Sequence, residues 1–458
     1  MSASAAGMHY ISTRGGTPPA GFSDAVALGL APDGGLFVPA SMPDLRPRLD
    51  GWRKLGYDQL AFEFLRLFAD DIPSGELRQI VEGAYASFEH PQRAPLVRLD
   101  DGLWVLELFH GPTLAFKDFA LQILGGLYER QVRLRGKRIT VLGATSGDTG
   151  SAAIHGLLGH PGARIFILYP IGRVAPLQER QMACTGAENV FPVAIPGSFD
   201  DAQRIVKALF GDRSLVAELG LSAINSINLA RVLAQCVYHL WARLRLDEAG
   251  VGEAEFVVPT GNFGNVLAGW MLGRMQVPGM RFCVATNRND ILHRFFSKGE
   301  YVAGPVEPSL APSMDIQAAS NFERYVYFLE EGDTDRVRTV MADVAAGRGY
   351  RSRHPALGEL HSVRLDDAGI RSAIKSVHLR YGYVVDPHTA CAFAARAASV
   401  PRVILSTASP AKFPDVVAET IGVRPTHPAL EALLERPVIR HEIAADAGVV
   451  REFLRGNA

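Results

Sequence analysis

Residues 103–150 carry the first alternation of buried strand, polar loop and helix in the chain, and they read LWVLELFHGPTLAFKDFALQILGGLYERQVRLRGKRITVLGATSGDTG. Leu103–Leu108 and Ile139–Gly143 are short apolar runs, which predict buried strands. A loop, Ala144–Gly150, follows the second run, and a helix is predicted from Ser151. Strands that alternate with helices predict a parallel sheet covered by helices on both faces.

The same alternation continues through most of the chain. Further strands are predicted at Arg164–Tyr169, Val190–Ile195, Phe256–Pro259, Arg281–Thr286 and Val403–Leu405. Helices are predicted at Asp200–Phe210, Asn228–Leu246 and Pro387–Ala398, and helical regions at Phe322–Val344 and Asp366–Tyr381. The expected fold class is therefore α/β, with doubly wound, mostly parallel sheets. In such folds ligands bind at the loops that follow the carboxyl ends of strands, so functional residues are expected there.

Three segments differ in their pattern. Residues 1–100 place apolar residues such as Leu60 and Phe64 at helical spacing and predict a mainly helical N-terminal domain. Residues 101–425 carry the alternation of strands and helices and predict an α/β region that holds the chemistry. Residues 426–458 are predicted to form a helical tail.

The composition excludes several classes of protein. Of the 458 residues, 48% are apolar, so the chain has core enough for two or three domains and is unlike a disordered protein. Lys and Arg number 47 and Asp and Glu number 48, so a net charge of −1 gives no basic excess for nucleic acid or an anionic membrane. The expected partner is therefore a small molecule.

The N-terminus and the cysteines point to the cytoplasm. Met1–Gly7 lacks the basic and then apolar pattern of a secretory signal, and no apolar run reaches the roughly 18 residues that a membrane span needs. Cys184, Cys236, Cys283 and Cys391 form no CxxC pair and no metal-ligand spacing. These cysteines are expected to be reduced and buried, and no metal site is predicted.

Lys117 stands in the segment LFHGPTLAFKDF, residues 108–119, where its close neighbours are Phe116, Asp118 and Phe119. Apolar surroundings disfavour the charged form of an amine and lower its pKa from about 10.4. A lysine with a lowered pKa is a nucleophile of the kind that forms a Schiff base with pyridoxal phosphate. The ordinary alternative is a helix lysine whose ammonium reaches water past its apolar neighbours.

Gly261–Asn265 lies between a predicted strand and a predicted helix. Glycines allow the backbone to approach an anion, and a helix N-terminus offers unpaired N–H groups. These features suit a phosphate monoester, although the loop is neither a Walker loop nor a GxGxxG fingerprint. An ordinary strand-to-helix turn explains the loop equally well on this evidence alone.

Two further strand ends carry polar residues. Thr145–Gly150 has the placement and hydroxyls to hold a second anion, such as a substrate carboxylate, provided that Asp148 points elsewhere. Ser406 and Thr407 end another strand, where a hydroxyl could hydrogen-bond a neutral pyridine nitrogen. Other polar residues near these loops have no distinguishing context; they are His110, Asp118, Arg173, Asn225, Asn228, Arg231, His388 and Lys412.

These segments resemble the threonine synthase family of fold-type-II pyridoxal phosphate enzymes. Residues 109–118 (FHGPTLAFKD) resemble its lysine segment, residues 144–150 (ATSGDTG) its substrate-carboxylate loop, and residues 259–265 (PTGNFGN) its phosphate cradle. Shorter matches are residues 10–16, 29–39, 169–170, 176–178 and 225–228 with Arg231. The resemblance runs from about residue 8 to about residue 455 and is closest to the longer bacterial and fungal form, which implies a large and a small catalytic domain.

The resemblance implies a lyase that converts O-phospho-L-homoserine and water to L-threonine and phosphate, the last step of threonine biosynthesis. The implied cofactor is pyridoxal 5′-phosphate, and the implied assembly is a monomer or a homodimer. Implied cofactor contacts are Lys117 as the Schiff-base lysine and proton carrier, Gly261, Asn262, Phe263, Gly264 and Asn265 at the phosphate, Thr407 at the pyridine nitrogen and Asp148 near the 3′ oxygen. Implied substrate contacts are Thr145, Ser146 and Thr149 near the carboxylate, and Asn228, Arg231, Arg173 and Lys412 at the leaving phosphate.

One departure from the family pattern lies near the C-terminus. The family often reads Thr-Ala-His-Pro-Ala-Lys-Phe, whereas residues 407–413 here read TASPAKF. Ser409 therefore stands where the family often has histidine, and a histidine role at that position is not carried over. Thr407 and Lys412 keep their places.

Three other functions stay open on the sequence alone. A related dehydratase of hydroxyamino acids would need no cationic site for a leaving phosphate. A noncatalytic homologue would have no need of Lys117 and all three loops. A phosphate-binding protein without pyridoxal phosphate would leave Lys117 unexplained.

Overall fold

Helices dominate the N-terminal part of the chain in the computed structural model, which describes residues 7–145, 147–352, 354, 359–395 and 399–458. The first elements are β1 (Tyr10–Ser12), α1 (Phe22–Leu28), β2 (Phe37–Pro39), α2 (Arg46–Trp52), α3 (Tyr57–Leu65) and α4 (Ser74–Tyr85). Strands β1 and β2 pair with each other in antiparallel orientation. Leu60 and Phe64 are buried on α3, as their helical spacing predicts.

Strands and helices alternate over the rest of the chain. Residues 96–223 contain β3 (Leu96–Asp100), β4 (Leu103–Glu107), α5 (Asp118–Arg135), β5 (Ile139–Ala144), α6 (Asp148–Leu157), β6 (Ala163–Pro170), α7 (Pro176–Ala183), β7 (Val190–Ile195), α8 (Phe199–Gly211), α9 (Arg213–Leu219) and β8 (Leu221–Ala223). Residues 224–425 contain α10 (Leu229–Glu248), β9 (Ala254–Pro259), α11 (Gly264–Arg274), β10 (Met280–Thr286), α12 (Ile291–Lys298), β11 (Glu300–Tyr301), α13 (Phe322–Leu329), α14 (Thr334–Ala345), β12 (Tyr350–Arg351), β13 (Leu360–Arg364), α15 (Asp367–Tyr381), α16 (Pro387–Ala392), β14 (Arg402–Ser406) and α17 (Pro414–Ile421). The tail contains α18 (Pro428–Leu434), β15 (His441–Glu442) and α19 (Ala447–Asn457).

Two sheets organise these elements. The larger has six strands in the order β13-β10-β9-β14-β4-β3, all parallel to their neighbours except the edge strand β3. The smaller has five strands in the order β15-β7-β6-β5-β8, all parallel. Parallel neighbours need crossover connections, and helices supply most of them here. The predicted α/β fold with doubly wound, mostly parallel sheets is confirmed.

Helix α10 is buried along nearly its whole length, from Leu229 to Leu246. It packs against α3, α5 and α11. A helix that is buried on all sides belongs to the interior of a large core rather than to a surface layer. It therefore links the N-terminal helices to α5, which begins next to Lys117, and to α11, which begins at the predicted cradle.

Aromatic rings support the first turn of α5. The ring centroid of Phe119, two residues after Lys117, lies 4.8 Å from that of Phe88, 5.4 Å from that of Tyr57 and 5.5 Å from that of Tyr238. Each such pair stabilises a fold by about 0.5–1.5 kcal/mol beyond the effect of burial. The N-terminal helices therefore help to hold Lys117 in place.

Helices α5 and α6 pack with their backbones in contact. A β-carbon on Gly125 would lie 1.8 Å from the carbonyl oxygen of Gly156, and one on Gly156 would lie 2.4 Å from the carbonyl oxygen of Leu121. A side chain at either glycine would therefore push the two helices apart. Because α5 begins just after Lys117 and α6 begins at Asp148, this contact sets the spacing of the helices that carry both residues.

Several details differ from the sequence-based expectation, among them the start of α6, which lies at Asp148 rather than at Ser151. The tail is not only helical, because β15 pairs with β7 at the edge of the smaller sheet; a strand of two residues is too short to show a periodic pattern. The helical region predicted over Phe322–Val344 consists of two helices, α13 and α14, and Gly332 lies between them at a φ of 85°. The helix predicted to reach Ala398 ends at Ala392, and residues 396–398 lie outside the described residues.

The predicted boundary at residue 100 falls in the turn between β3 and β4, which pair in the larger sheet. Strand β3 therefore belongs to that sheet although it precedes the boundary. The division of the chain at residues 100 and 425 stays a prediction. None of the helices in the described part of the chain is long and apolar enough to cross a membrane.

Candidate active site

The loops that follow β4, β5, β9 and β14 meet at one cleft with about 620 Å³ of empty volume, including space open to solvent. Lys117, Asp148, the whole of Gly261–Asn265 and Thr407 line it. Four predicted loops from two different sheets therefore converge on a single site.

Lys117 immediately precedes α5 and is only 8% exposed. Its Nζ lies 3.1 Å from Oδ2 of Asp148 and 4.8 Å from the ring centroid of Phe116. Burial lowers the pKa of Lys117 below its ordinary value, the nearby cations Lys412 and Arg231 lower it further, and Asp148 acts in the opposite direction. The side chain does not reach water past its neighbours, so the ordinary alternative for this lysine is excluded.

The carboxylate next to Lys117 in the sequence has a different task. Asp118 accepts hydrogen bonds from the backbone N–H of Thr113 at 2.9 Å and from its hydroxyl at 2.6 Å. These bonds close the turn that contains Leu114 at a φ of 59°. Burial raises the pKa of Asp118 to about 6. Asp118 therefore shapes the turn before α5, and the ion pair of Lys117 is made with Asp148.

Asp148 connects two lysines. Its Oδ2 accepts from Nζ of Lys117 and from the hydroxyl of Ser313, both at 3.1 Å. Its Oδ1 accepts from Nζ of Lys412 and from Nε2 of Gln178, both at 2.7 Å. Burial alone would raise the pKa of Asp148, but the two ammonium groups hold it well below its ordinary value. The carboxylate therefore stays charged and fixes both amines.

The loop Gly261–Asn265 presents unpaired backbone donors to the cleft. No described residue accepts a hydrogen bond from the backbone N–H groups of this loop, whose last two residues open α11. Phe263 has a φ of 64°, an uncommon conformation for a residue with a side chain. A β-carbon on Gly261 would lie 2.9 Å from the carbonyl oxygen of Ser313. The loop has the donors and the close packing of an anion cradle.

Asn265 adds a side-chain donor to the cradle. Its Oδ1 accepts from the hydroxyl of Tyr238 at 2.7 Å and from Nε2 of His239 at 3.0 Å. These contacts orient the amide so that Nδ2 is buried without a partner among the described residues. An unpaired buried donor is costly unless a ligand satisfies it, so Asn265 also points to a bound anion.

Thr407 follows β14 and is held through its backbone. Its carbonyl oxygen accepts from the N–H of Phe116 at 2.9 Å, and its N–H donates to the hydroxyl of Thr389 at 3.1 Å. The Thr407 hydroxyl makes no hydrogen bond to any described residue and lines the cleft. A neutral hydroxyl at this place suits a pyridine nitrogen that is not protonated.

The loop before α6 is partly closed on itself. The hydroxyl oxygen of Thr145 accepts from the N–H of Gly147 at 3.0 Å and from that of Gly150 at 2.9 Å, and Thr145 does not line the cleft. Thr149 does line it. Ser146, predicted at the substrate carboxylate, lies outside the described residues.

Two of the four residues predicted at the leaving phosphate lie at or beside the cleft. Arg231 lines it, is 2% exposed, and has its Nε buried without a partner in the described part of the chain. Burial lowers the pKa of Arg231 to about 10, so the guanidinium stays charged at neutral pH. Lys412 does not line the cleft, but it forms an ion pair with Asp148, which does. Its Nζ also donates to the carbonyl oxygen of Thr113 at 2.8 Å.

The other two residues lie elsewhere. Asn228 caps α10: its Oδ1 accepts from the N–H of Ala230, and its Nδ2 donates to the carbonyl oxygen of Val26 at 2.9 Å. Arg173 is exposed after β6 and does not line the cleft. The structure therefore does not bring these two residues together with Lys117.

The structure adds residues that sequence reasoning did not place in the site. Ser313 and Met314 enter the cleft from the turn Pro312–Met314, inside a segment that reads only as a loop. His388 lines the cleft from the start of α16, although its sequence context did not single it out. Gln178 reaches Asp148 from α7 and leaves its own Oε1 without a partner among the described side chains.

The residues present fit a phosphate-bearing pyridine aldehyde. The unpaired N–H groups of Gly261–Asn265 suit its phosphate, the buried Lys117 amine suits its aldehyde carbon, and the hydroxyl of Thr407 suits its ring nitrogen. No group of three or more His, Cys, Asp or Glu side chains in the described residues is arranged to hold a metal ion.

Comparison with known families agrees with this geometry. Residues 9–85 match the family described as threonine synthase N terminus, residues 88–403 match pyridoxal-phosphate dependent enzymes, and residues 388–454 match the family described as threonine synthase, C-terminal. The second match alone covers more than half of the chain and contains Lys117, the cradle and His388.

Individual proteins are similar over nearly their full length. The threonine synthase of Pseudomonas aeruginosa is 44% identical over 443 residues, which cover 94% of each chain. The crystal structure of pyridoxal-phosphate-bound threonine synthase from Brucella melitensis superposes with a TM-score of 0.93 at 40% identity, covering 98% of this chain and 99% of that one. The yeast threonine synthase structure gives a TM-score of 0.91 at 35% identity, covering 98% of each chain. The chain therefore belongs to the threonine synthase family of pyridoxal-phosphate-dependent lyases.

Proposed function

We propose that this enzyme converts O-phospho-L-homoserine and water to L-threonine and phosphate. The observation that carries the proposal is the surplus of cationic groups in the cleft. The cradle can hold the cofactor phosphate with uncharged donors, yet Arg231 is buried in the same cleft without a carboxylate partner among the described residues, and Lys412 beside the cleft shares its carboxylate, Asp148, with Lys117. Buried cations need anionic partners, and a substrate that carries its own phosphate supplies one.

Different residues of the site would contact different parts of the cofactor. Lys117 would hold it covalently through Nζ, and Gly261–Asn265 would bind its phosphate. Thr407 would contact the ring nitrogen, and Asp148 would lie on the side of the 3′ oxygen. When bound, pyridoxal phosphate draws electrons away from the substrate carbons and so stabilises negative charge on them.

Lys117 is the proton carrier of the reaction in this proposal. Its lowered pKa increases the fraction of neutral amine near pH 7, which can accept a proton from a substrate carbon. Oδ2 of Asp148 keeps the amine within hydrogen-bonding distance of a fixed point and so limits the directions in which Nζ can move. One amine can then take a proton at one carbon and return it at another.

The substrate carboxylate binds at the N-terminus of α6. The backbone N–H groups of Asp148 and Thr149 have no acceptor among the described residues, and Thr149 brings a hydroxyl. The carboxylate of Asp148 does not repel the substrate, since Lys117 and Lys412 neutralise it. Ser146, which lies outside the described residues, and Thr145 complete the predicted set.

The leaving phosphate binds to Arg231, with Lys412 close by. A charged donor strengthens its contact with the phosphate as negative charge develops on the departing oxygen, and this favours cleavage of the carbon–oxygen bond. Arg173 and Asn228 were predicted here as well, but the proposal does not need them because neither lines the cleft.

We also propose that the enzyme works in the cytoplasm as a monomer or a homodimer, on a diffusible substrate and without nucleic acid or membrane. All four cysteines are free and buried, which suits a reducing compartment. Fractionation of the producing cells and a sedimentation measurement test these two points separately.

The reaction is tested by recording the absorbance spectrum of the purified protein before and after O-phospho-L-homoserine is added, while phosphate and threonine are measured. We expect a band of lysine-bound cofactor that changes on addition, with equal amounts of both products. A band without phosphate release would overturn the reaction, and release of ammonia from serine or threonine would then favour a dehydratase. Absence of the band, even after pyridoxal phosphate is supplied, would overturn the role of Lys117.

A further inference from the structure

A hydrogen-bonded chain that the proposed reaction does not use leads from Asp386 towards the cleft. Asp386 is fully buried and precedes α16. Its Oδ2 accepts from the backbone N–H of His388 and from Nδ1 of the same histidine, both at 2.8 Å. These two contacts fix the imidazole ring in one orientation, with Nε2 directed away from Asp386.

Both nitrogens of His388 are occupied. Nε2 accepts from the backbone N–H of Ser313 at 3.1 Å. A backbone N–H can only donate, so Nε2 carries no proton and Nδ1–H donates to Asp386. His388 lines the cleft but has no free nitrogen to exchange a proton with the substrate. Its place in the site is therefore that of a positioning residue.

Ser313 connects His388 to the ion pair of Lys117 and Asp148. Its hydroxyl donates to Oδ2 of Asp148 at 3.1 Å, and the same oxygen accepts from Nζ of Lys117 at 3.1 Å. With Ser313 on one side of that oxygen, the ammonium of Lys117 has a single remaining approach. Lys412 and Gln178 hold the other oxygen of the carboxylate, so loss of the serine hydroxyl would loosen Oδ2 and the Lys117 amine that is bonded to it.

The turn that carries Ser313 has a second, independent anchor. Oδ1 of Asp315 accepts from Nδ2 of Asn287 at 2.7 Å and from the hydroxyl of Ser309 at 2.6 Å. These bonds hold the turn without any contribution from His388. A change at His388 should therefore alter the direction of Ser313 and leave the turn and the fold in place.

We propose that Asp386, His388 and Ser313 form a positioning chain that holds the Asp148 carboxylate in the orientation that aims the Lys117 amine at the substrate carbons. The inference rests on the proposed role of Lys117. Misplacement of a reacting group by about 1 Å costs roughly 100-fold in rate, so a chain of this kind has a measurable effect without touching the substrate.

The chain is tested with Ser313→Ala, His388→Asn and His388→Gln in the holoenzyme. Asparagine can still donate to Asp386 but is too short to reach the N–H of Ser313, whereas the longer glutamine offers an oxygen near the place of Nε2. We expect Ser313→Ala and His388→Asn to lower kcat by about 10- to 100-fold with KM changed less than about threefold. His388→Gln should recover a large part of the loss.

Two further readouts separate positioning from a general structural role. The visible circular dichroism of the bound cofactor should change in Ser313→Ala, while its absorbance intensity and the cofactor Kd stay unchanged. In the Ser313→Ala background, His388→Asn should produce no further loss of kcat, because residues that act in series are not additive. An equal loss in both backgrounds would overturn the chain.

Cys391→Ala is the matched control. Cys391 is buried on the same helix as His388, and its Sγ contacts the carbonyl oxygen of Pro387 rather than the cleft. It should lower stability without changing kcat. A Ser313→Ala enzyme with kcat within about twofold of the parent and unchanged dichroism would also overturn the proposal. If the parent enzyme releases no phosphate from O-phospho-L-homoserine, the proposed function fails. The visible circular dichroism of the cofactor in Ser313→Ala then remains as the test of the positioning chain.

Discussion

Two strand-to-helix loops line the same cleft, one without a charged side chain and one with a carboxylate. The loop Gly261–Asn265 follows β9, has no charged side chain, and leaves its backbone N–H groups without an acceptor in the described part of the chain. The loop Thr145–Gly150 follows β5, satisfies the N–H groups of Gly147 and Gly150 with the hydroxyl of Thr145, and presents the carboxylate of Asp148. Equivalent places in the two sheets therefore perform different chemistry.

This difference shows that the topology of the sheets determines where a ligand binds, whereas the groups that each loop exposes determine whether an anion or a cation binds there. An open row of backbone donors suits an anion, and here it suits the cofactor phosphate. A buried carboxylate suits cations, and here it holds the amines of Lys117 and Lys412. Changes in the first loop should therefore act on retention of the cofactor, and changes around Asp148 should act on turnover.

The largest effect is expected from Lys117→Ala, which removes the amine itself. Turnover should fall by about 10⁴-fold or more, because both the covalent link and the proton carrier are lost. The fold should persist, since Asp148 keeps its bonds to Lys412, Gln178 and Ser313. The measurement is kcat together with the thermal midpoint. Substantial threonine formation by the folded variant would contradict the assignment.

Asp148→Asn should have the next largest effect and should spare the cradle. We expect kcat to fall by about 100-fold or more and the free energy of unfolding to fall by about 3–5 kcal/mol, because Lys412 loses its buried counterion. Asp148 raises the pKa of Lys117, so its removal lowers that pKa further and the amine loses its proton at a lower pH. The pH dependence of acylation of Lys117, followed by mass spectrometry in cofactor-free protein, measures this shift. If Asp148→Asn weakened cofactor binding but left the kcat of the cofactor-saturated enzyme unchanged, the two loops would not differ in function as proposed.

Gly261→Ala tests the other side of the comparison. The new β-carbon would lie 2.9 Å from the carbonyl oxygen of Ser313 and 3.2 Å from Cα of Met314, so the cradle must shift. We expect the Kd for pyridoxal phosphate to rise by about 10- to 100-fold, with a smaller change in the kcat of the saturated enzyme. Gly273→Ala, on the same helix α11 with open space around it, is the control and should leave the Kd unchanged. An effect on kcat alone would place the glycine outside the cradle.

Asn262→Ala should have the smallest effect of the four. The Asn262 side chain is exposed, and its Oδ1 accepts from the hydroxyl of Ser320 at 3.0 Å. Loss of one such bond is expected to weaken cofactor binding by about fivefold. Ser320→Ala removes the same bond from its other end and should match it in a fluorescence titration. An unchanged affinity of Asn262→Ala for pyridoxal phosphate would show that the Asn262 side chain does not contribute to the cradle.

Features built from neighbouring residues could be predicted from the sequence. The alternation of strands and helices gave the α/β class because each apolar run is several residues long. The stretch around Lys117 and the loop Gly261–Asn265 could be recognised because their chemistry lies within a few consecutive residues. The two-residue strand β15 could not be predicted, since a run so short has no period.

Features built from distant residues could not be predicted in this way. Asp118 is adjacent to Lys117 in the sequence, yet the carboxylate that pairs with the amine is Asp148, 31 residues away. Ser313 is 165 residues from Asp148 and stands in a segment with no periodic signal. Asn228 looked like a polar ligand, but its amide is used to cap α10. Which polar groups meet depends on helix packing that no local pattern records.

The contact between Gly125 and Gly156 has a practical consequence for protein engineering. Neither glycine lines the catalytic cleft, yet the two together set how closely the helices behind Lys117 and Asp148 approach each other. A library aimed at new substrates can vary the cleft walls while this alignment is inherited unchanged. A library that extends into α5 or α6 would lose active members at these two positions outside the cleft. Its designer would then mistake a disturbed helix spacing for an active site that tolerates no change.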